Sequence, residues 1–135
     1  MLASLSRFQP AAPLLLRVVL GVIFIAHGFG KVSGAVEGFS ESVARLGFPA
    51  PYWFAWAAAL SEFLGGICVL VGLFTRYAAF AIAIVMGVAI TKVHLHQGLV
   101  GGYDFPLALL TMAVAIMLTG AGPVSFYKNV LHRDF

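Results

Sequence analysis

Four long apolar stretches dominate the 135-residue chain: residues 11–30, 53–74, 77–96 and 105–121. Each is close to the ~20 predominantly apolar residues that a helix needs to cross a bilayer. Backbone amides in hydrocarbon must find partners within their own segment, so each stretch is read as a helix. With 61% hydrophobic and 10% charged residues, the chain is far more apolar than a soluble domain, which carries about 25% charged residues. The expected fold is therefore all-α, an integral membrane four-helix bundle forming a single transmembrane domain over residues 1–135.

Short connections at Thr75-Arg76 and at Gln97 to Asp104 imply antiparallel neighbours and an up-down bundle. The one long connection runs from Lys31 to Tyr52. Within it Val36, Phe39, Val43 and Leu46 recur at helical spacing while Glu37, Glu41 and Arg45 take other faces. That pattern predicts a short amphipathic helix on the membrane surface or capping the bundle. Gly47-Phe48-Pro49-Ala50-Pro51 ends it, and Tyr52, Trp53 and Trp56 mark an interface. Arg17 interrupts the first apolar run and no small-residue cleavage site leads into a polar region, so the first span reads as an uncleaved insertion signal.

Charge excludes some functions and orients the chain. A net +3 from scattered basic residues does not make the concentrated basic face that nucleic-acid binding requires. Arg7, Arg76, Lys128 and Arg133 lie on one side of the bundle, against Lys31, Arg45 and Lys92 on the other. The bias puts both termini in the cytoplasm of a multi-pass plasma-membrane protein. Cys68, the single cysteine, reads as a small buried apolar residue.

Few ionisable residues exist, and a large share of them sit in or at the ends of the spans. Glu62 lies near the middle of the second, Arg17 and His27 in the first, and Lys92, His94 and His96 close the third. Ionisable groups at membrane depth face a protein interior or a wet cavity and mark function by default. Glu62 shares a helical face with Ala55, Ala58, Ala59, Gly65, Gly66 and Val69, small residues that suit close helix packing. Arg17 shares one with Gly21, Phe24 and Gly28. An Arg17–Glu62 ion pair is the simplest account of both. His94 aligns with Ala83, Gly87 and Thr91 and is the better interior candidate, while His96 lies about 200° away on a regular helix. Lys92 reads equally as a residue snorkelling to the interface.

His27, Lys92, His94, Tyr103 and Asp104 gather toward one membrane face, with Glu62 at the floor of the funnel they form. Quinone binding fits such a cluster: it needs a flat apolar slot open to lipid, hydrogen-bonding groups at the carbonyls and a group that exchanges protons. Phe24, Phe29, Phe63 and Tyr103 are candidate walls, and His27, Glu62 and His94 candidate catalytic groups. Two histidines on separate helices are a weak signal for haem, and spacing supplies no metal-ligand set. No G-x-G-x-x-G run between a strand and a helix marks flavin or nicotinamide binding. A proton or solute path is a further reading, although four short helices could make a transporter only as a homo-oligomer.

The segments LLLRVVLGVIFIAHGFGKV (14–32), ARLGFPAP (44–51), SEFLGGICVLVGLFTR (61–76) and GGYDFPLALLTMAVAIMLTGAGPVS (101–125) resemble the DoxX family of small four-helix bacterial membrane proteins, over nearly the whole chain and in order. That family takes its name from a subunit of an archaeal terminal quinol oxidase and thiosulfate:quinone oxidoreductase system. Other members are associated with membrane complexes that handle thiols and oxidative stress. The resemblance implies a putative-oxidoreductase component, quinone-handling or anchoring soluble redox enzymes at the bilayer. A non-catalytic scaffold or assembly factor is the alternative. It carries over Arg17, His27, Gly28, Lys31, Glu62, Gly65, Gly66, Thr75, Arg76, Tyr103 and Asp104. The chain departs from the family pattern in having Asp104 where a glutamate is expected and Ser125-Phe126-Tyr127 in the tail.

Overall fold

The computed structural model describes residues 2–132, without the side chain of Tyr127; Arg133, counted above in the charge bias, lies outside the described residues. The described residues are helical with no strand, and four helices are long and apolar enough to cross a membrane. Helix α1 (Ala12–Gly30) follows a 3₁₀ segment, Leu2–Ala11, and carries Pro13 in its first turn, where a missing N–H costs nothing. Beyond Gly30 the chain runs through a π-helical segment, Lys31–Ala35. It breaks at Gly34, whose φ of 146° is open only to glycine, and re-enters helix as α2 (Val36–Arg45).

Helix α3 (Pro51–Val71) starts on a proline and ends at Gly72 in the left-handed region (φ 79°). The N–H groups of Gly72 and Leu73 both return to the Cys68 carbonyl, which satisfies a helix-end acceptor in the usual glycine-cap manner. Helix α4 (Thr75–Val88) continues as a π segment, Ala89–His94, and a 3₁₀ turn, Leu95–Gln97. A loop with glycines at positive φ leads into α5 (Asp104–Thr119). The amphipathic element falls where its spacing predicts. The second span stops three residues earlier than its hydropathy suggests, because Gly72 turns the chain and Thr75 already belongs to α4.

Small residues set the packing. The buried face of α3 is Ala55, Ala59, Glu62, Gly65, Gly66 and Val69, and that of α1 includes Arg17, Leu20, Gly21, Phe24 and Gly28. Gly28 lies directly on the Phe63 backbone and Gly66 on Ile25, so the two helices approach to backbone contact. The main core unites Leu20 and Phe24 of α1, Val69 of α3, Ile82 and Met86 of α4, and Leu109, Ala113 and Ile116 of α5. A second cluster joins α2 to α3 through Val36, Val43 and Ala55, with Phe39, Phe48 and Trp56 against it. Leu15, Val19, Leu64, Phe80, Ile84, Val114 and Leu118 are exposed on the bundle surface. Such a surface is at home only in lipid.

Candidate functional site

The α1–α3 contact fixes the register of the site. With Gly28 seated on Phe63, the next residues of the chain climb past α3 one turn further on, and Lys31 meets Glu62. Lys31 Nζ donates to both carboxylate oxygens, 2.6 Å to Oε2 and 2.8 Å to Oε1. The Glu62 side chain is 4% exposed and that of Lys31 24%, so the pair is desolvated on the carboxylate side and open on the ammonium side. Geometry of this kind, two charge-assisted bonds from one donor, is what a buried carboxylate needs to stay in place. The same ammonium lies 4.4 Å from the Phe39 ring centroid. Lys31 therefore ties α3 to α2 by an ion pair on one side and a cation–π contact on the other.

The pair borders a cavity of about 600 Å³ to which all five helices contribute. Its walls are apolar: Phe24 of α1, Phe39 and Val43 of α2, Phe54 and Ala58 of α3, Ile84 and Met86 of α4, and Leu109 of α5 among them. The polar side chains that line it, among the described residues, are His27, Lys31, Ser61, Glu62 and His94. Phe54, Ile84 and Val88 both line the cavity and stand exposed on the bundle surface, so the slot opens sideways toward lipid. A large apolar volume with a few converging polar groups is the usual form of a small-molecule site.

His27 and His94 reach this cavity from different elements. His27 Nδ1 lies 2.8 Å from the Ile23 carbonyl one turn earlier in α1. His94, half-buried, has its Nδ1 3.1 Å from Gln97 Oε1. The packed face of α4 is Ala78, Ala79, Ile82 and Met86, rather than the Ala83–Gly87–Thr91 stripe chosen from sequence. On a regular helix His94 would stand about 120° from Ile82. The π segment Ala89–His94 closes its hydrogen bonds over five residues instead of four, so it turns less per residue and moves His94 off that regular-helix register.

The Arg17–Glu62 pair anticipated from sequence does not form. Arg17 lies 14 residues before Lys31 on α1, about 21 Å along the axis, and is 1% exposed at the far end of the bundle. Its guanidinium donates from Nε to the Val69 carbonyl at 2.8 Å, from Nη2 to Leu70 at 2.9 Å, and from Nη1 to Ala121 at 2.6 Å and to Val124. These acceptors are the last carbonyls of α3 and of the chain just past α5, which have no helical partners of their own. A cation at the C-terminal end of a helix also meets its negative dipole end. The cause of the difference is that helix-end carbonyls satisfy an arginine inside a membrane as well as a carboxylate does.

Lys92, Tyr103 and Asp104 are also outside the cavity lining. Lys92 is exposed. Asp104 accepts from the N–H groups of Gly101 at 3.1 Å and Phe105 at 2.8 Å, binding the preceding loop to the start of α5, where the helix dipole favours a negative charge. Phe29 stacks on Phe63 with centroids 6.1 Å apart, away from the cavity. Among the described residues no three His, Cys, Asp or Glu side chains gather as a metal site. Lys31, which the family resemblance carried over but the candidate site left out, is the partner of Glu62. The available signal was its place four residues after His27, on the α1 face that carries Gly28 toward α3.

Four membrane-crossing helices around a lipid-facing slot with a buried ion pair define a small multi-pass membrane protein. The family model described as DoxX matches residues 12–95, which hold Arg17, His27, Lys31, Glu62 and His94, and the chain belongs to the DoxX family. It is 35% identical over 108 residues to a Bacillus subtilis (strain 168) protein named "Putative oxidoreductase CatD", covering 80% of this chain and 78% of that one. It is 33% identical over 87 residues to "Inner membrane protein YphA" of Escherichia coli (strain K12), covering 64% of this chain and 61% of that one. It is 31% identical over 94 residues to "Uncharacterized membrane protein Rv3486" of Mycobacterium tuberculosis (strain ATCC 25618 / H37Rv), covering 70% and 58%. No solved structure matches the chain.

Proposed function

We propose that this chain is the membrane subunit of a bacterial redox system and that its five-helix cavity binds a quinone. The observation that carries the reading is the cavity itself: about 600 Å³, walled mostly by apolar side chains, some of them exposed on the bundle surface, and lined also by Lys31, Glu62, His27 and His94. A quinone ring fits between aromatic and aliphatic walls, its carbonyl accepts from Lys31 Nζ, and its isoprenoid tail leaves past Phe54 and Ile84 into the bilayer. His27 and Glu62 are the groups that exchange protons with it. The oxidoreductase name of the Bacillus relative supports the redox reading. The inner-membrane name of the Escherichia relative supports a plasma-membrane location, with both termini cytoplasmic by charge bias. Electrons reach the quinone from a partner, a soluble thiol or oxidative-stress enzyme docked at the membrane.

The test is mass analysis of the lipid extract, with an ultraviolet-visible spectrum, of chain purified from quinone-containing membranes. Near-stoichiometric quinone is expected, falling several-fold in Glu62→Gln and in His27→Ala. A wild-type extract with no quinone above the surrounding lipid would sink the proposal. It would favour a non-catalytic scaffold or assembly factor, a reading supported by one observation: Arg17 and the Lys31–Glu62 pair are satisfied by groups of the chain itself.

A further inference from the structure

We propose that the segment before the first span, Leu2–Ala11, is an interfacial anchor that lies in the headgroup layer of the bilayer and selects anionic phospholipid. The inference is independent of what the cavity binds.

Reach places the segment. Helix α1 has 19 residues, about 28 Å at 1.5 Å each, which already matches the ~30 Å hydrocarbon core of a bilayer. Leu2–Ala11 therefore begins where the core ends. Its last residues are held at that end of the bundle by the chain after α5. A Cβ on Gly122 would lie 3.1 Å from Pro13 Cβ and 3.7 Å from the Pro10 carbonyl oxygen.

No residue of the segment is buried, yet it carries an ordered row of large apolar side chains. Three residues make one turn of a 3₁₀ helix, so Leu2, Leu5 and Phe8 stand above one another on one face. All three are more than half exposed, so the bundle does not cover them. An apolar row that leaves the hydrocarbon core with a cation beside it suits a helix lying in the interface, its apolar face at the acyl boundary.

Charge identifies the lipid. The Arg7 guanidinium carbon lies 4.8 Å from the Phe8 ring centroid, so a Phe8 ring at the acyl boundary brings the cation to the phosphates. Arg76, exposed, lies against Gly120 just past α5, and Lys128, also exposed, follows Ser125, so both stand at this end of the bundle. The carboxylates among the described residues are Glu37 and Glu41 in α2, Glu62 in the middle of α3 and Asp104 at the opposite end of α5. Three cations with no described carboxylate among them complement an anionic headgroup layer, where each contributes about a fivefold preference.

The experiment uses the full chain with Cys68→Ala and one new cysteine, Leu5→Cys on the apolar row or Gln9→Cys off it, carrying an environment-sensitive fluorophore. Each is reconstituted in phosphatidylcholine vesicles containing phosphatidylglycerol, with a nitroxide near the carbonyl end of the acyl chain of one lipid or the other. The Leu5 label should be shielded from iodide and quenched several-fold more strongly by nitroxide-phosphatidylglycerol than by an equal amount of nitroxide-phosphatidylcholine. The Gln9 label should stay open to iodide. Replacing Arg7, Arg76 and Lys128 by Gln, or raising the salt, should bring the two lipids to near parity. Equal quenching by the two lipids in the unaltered cationic background would overturn the selection of anionic lipid. A Leu5 label as open to iodide as the Gln9 label would overturn the anchor. A Leu5 label shielded from iodide but quenched by neither lipid would mean that protein, such as a second copy of the chain, covers the row, and would overturn it as well.

Discussion

Arg17 shows what a single buried charge does in this molecule. Its guanidinium holds the carbonyls of Val69, Leu70, Ala121 and Val124, joining the end of α3 to the chain after α5 through a side chain of α1. Gly72 belongs to the same joint, since a Cβ there would lie 2.6 Å from Arg17 Nη2. Arg17→Met strands four acceptors in a water-poor region, and thermal unfolding in detergent should show a loss of about 3 kcal/mol or more. Arg17→Lys should recover only part, because an ammonium cannot spread over four carbonyls as the planar fork does. Thr75 gives the opposite case. It is fully buried, and its Oγ1 has no hydrogen-bond partner among the described residues. Thr75→Val keeps the shape and should leave stability unchanged or raise it by about 1 kcal/mol; a loss of that size would reveal a partner for the hydroxyl. Sequence showed that Glu62 turns inward, because its helical neighbours are small, and offered Arg17 as its partner. It could not pair them, because pairing depends on how far α1 slides along α3, and residue spacing within one helix carries no such information.

At the scale of elements, that slide is set by glycine contacts. A methyl group on Gly28 would overlap the backbone nitrogen and Cα of Phe63. Gly28→Ala should therefore push α1 off α3 and cost about 1–3 kcal/mol, read as a lowered unfolding midpoint together with loss of bound quinone. The Lys31–Glu62 pair then bridges the two helices at the level where α1 gives way to α2. Removing one member, by Lys31→Met or Glu62→Gln, should cost about 3 kcal/mol by leaving the other without its partner. The double variant Lys31→Met/Glu62→Met should regain most of the stability and none of the binding. Failure of the double variant to recover would mean that the pair is needed for folding itself. Hydropathy and periodicity made α1, α2, α3 and α5 legible to within a few residues. The π segment after α4 was not, since nothing in Ala89–His94 announces a wider turn.

The whole molecule adds what no element contains. The cavity takes walls from five helices, and α2, which reads alone as a surface helix, supplies Phe39 and Val43 to it, with Leu46 just past its end. A bundle of four spans without α2 would leave Lys31 and Glu62 facing lipid or water on that side, which is why the long connection between the first two spans matters to the site. The funnel anticipated from sequence held Lys92, Tyr103 and Asp104 because depth alone grouped them; in the structure His27, Glu62 and His94 line the cavity and those three do not. The most direct test of the account is photolabelling of the full chain in nanodiscs with an azido-quinone, followed by peptide mapping. Label on residues 54–62 and 84–94, competed away by excess unmodified quinone and lost in Glu62→Gln, is the result the account predicts. Label confined to outward positions such as Leu15 and Leu118, or label that competitor does not displace, would contradict it.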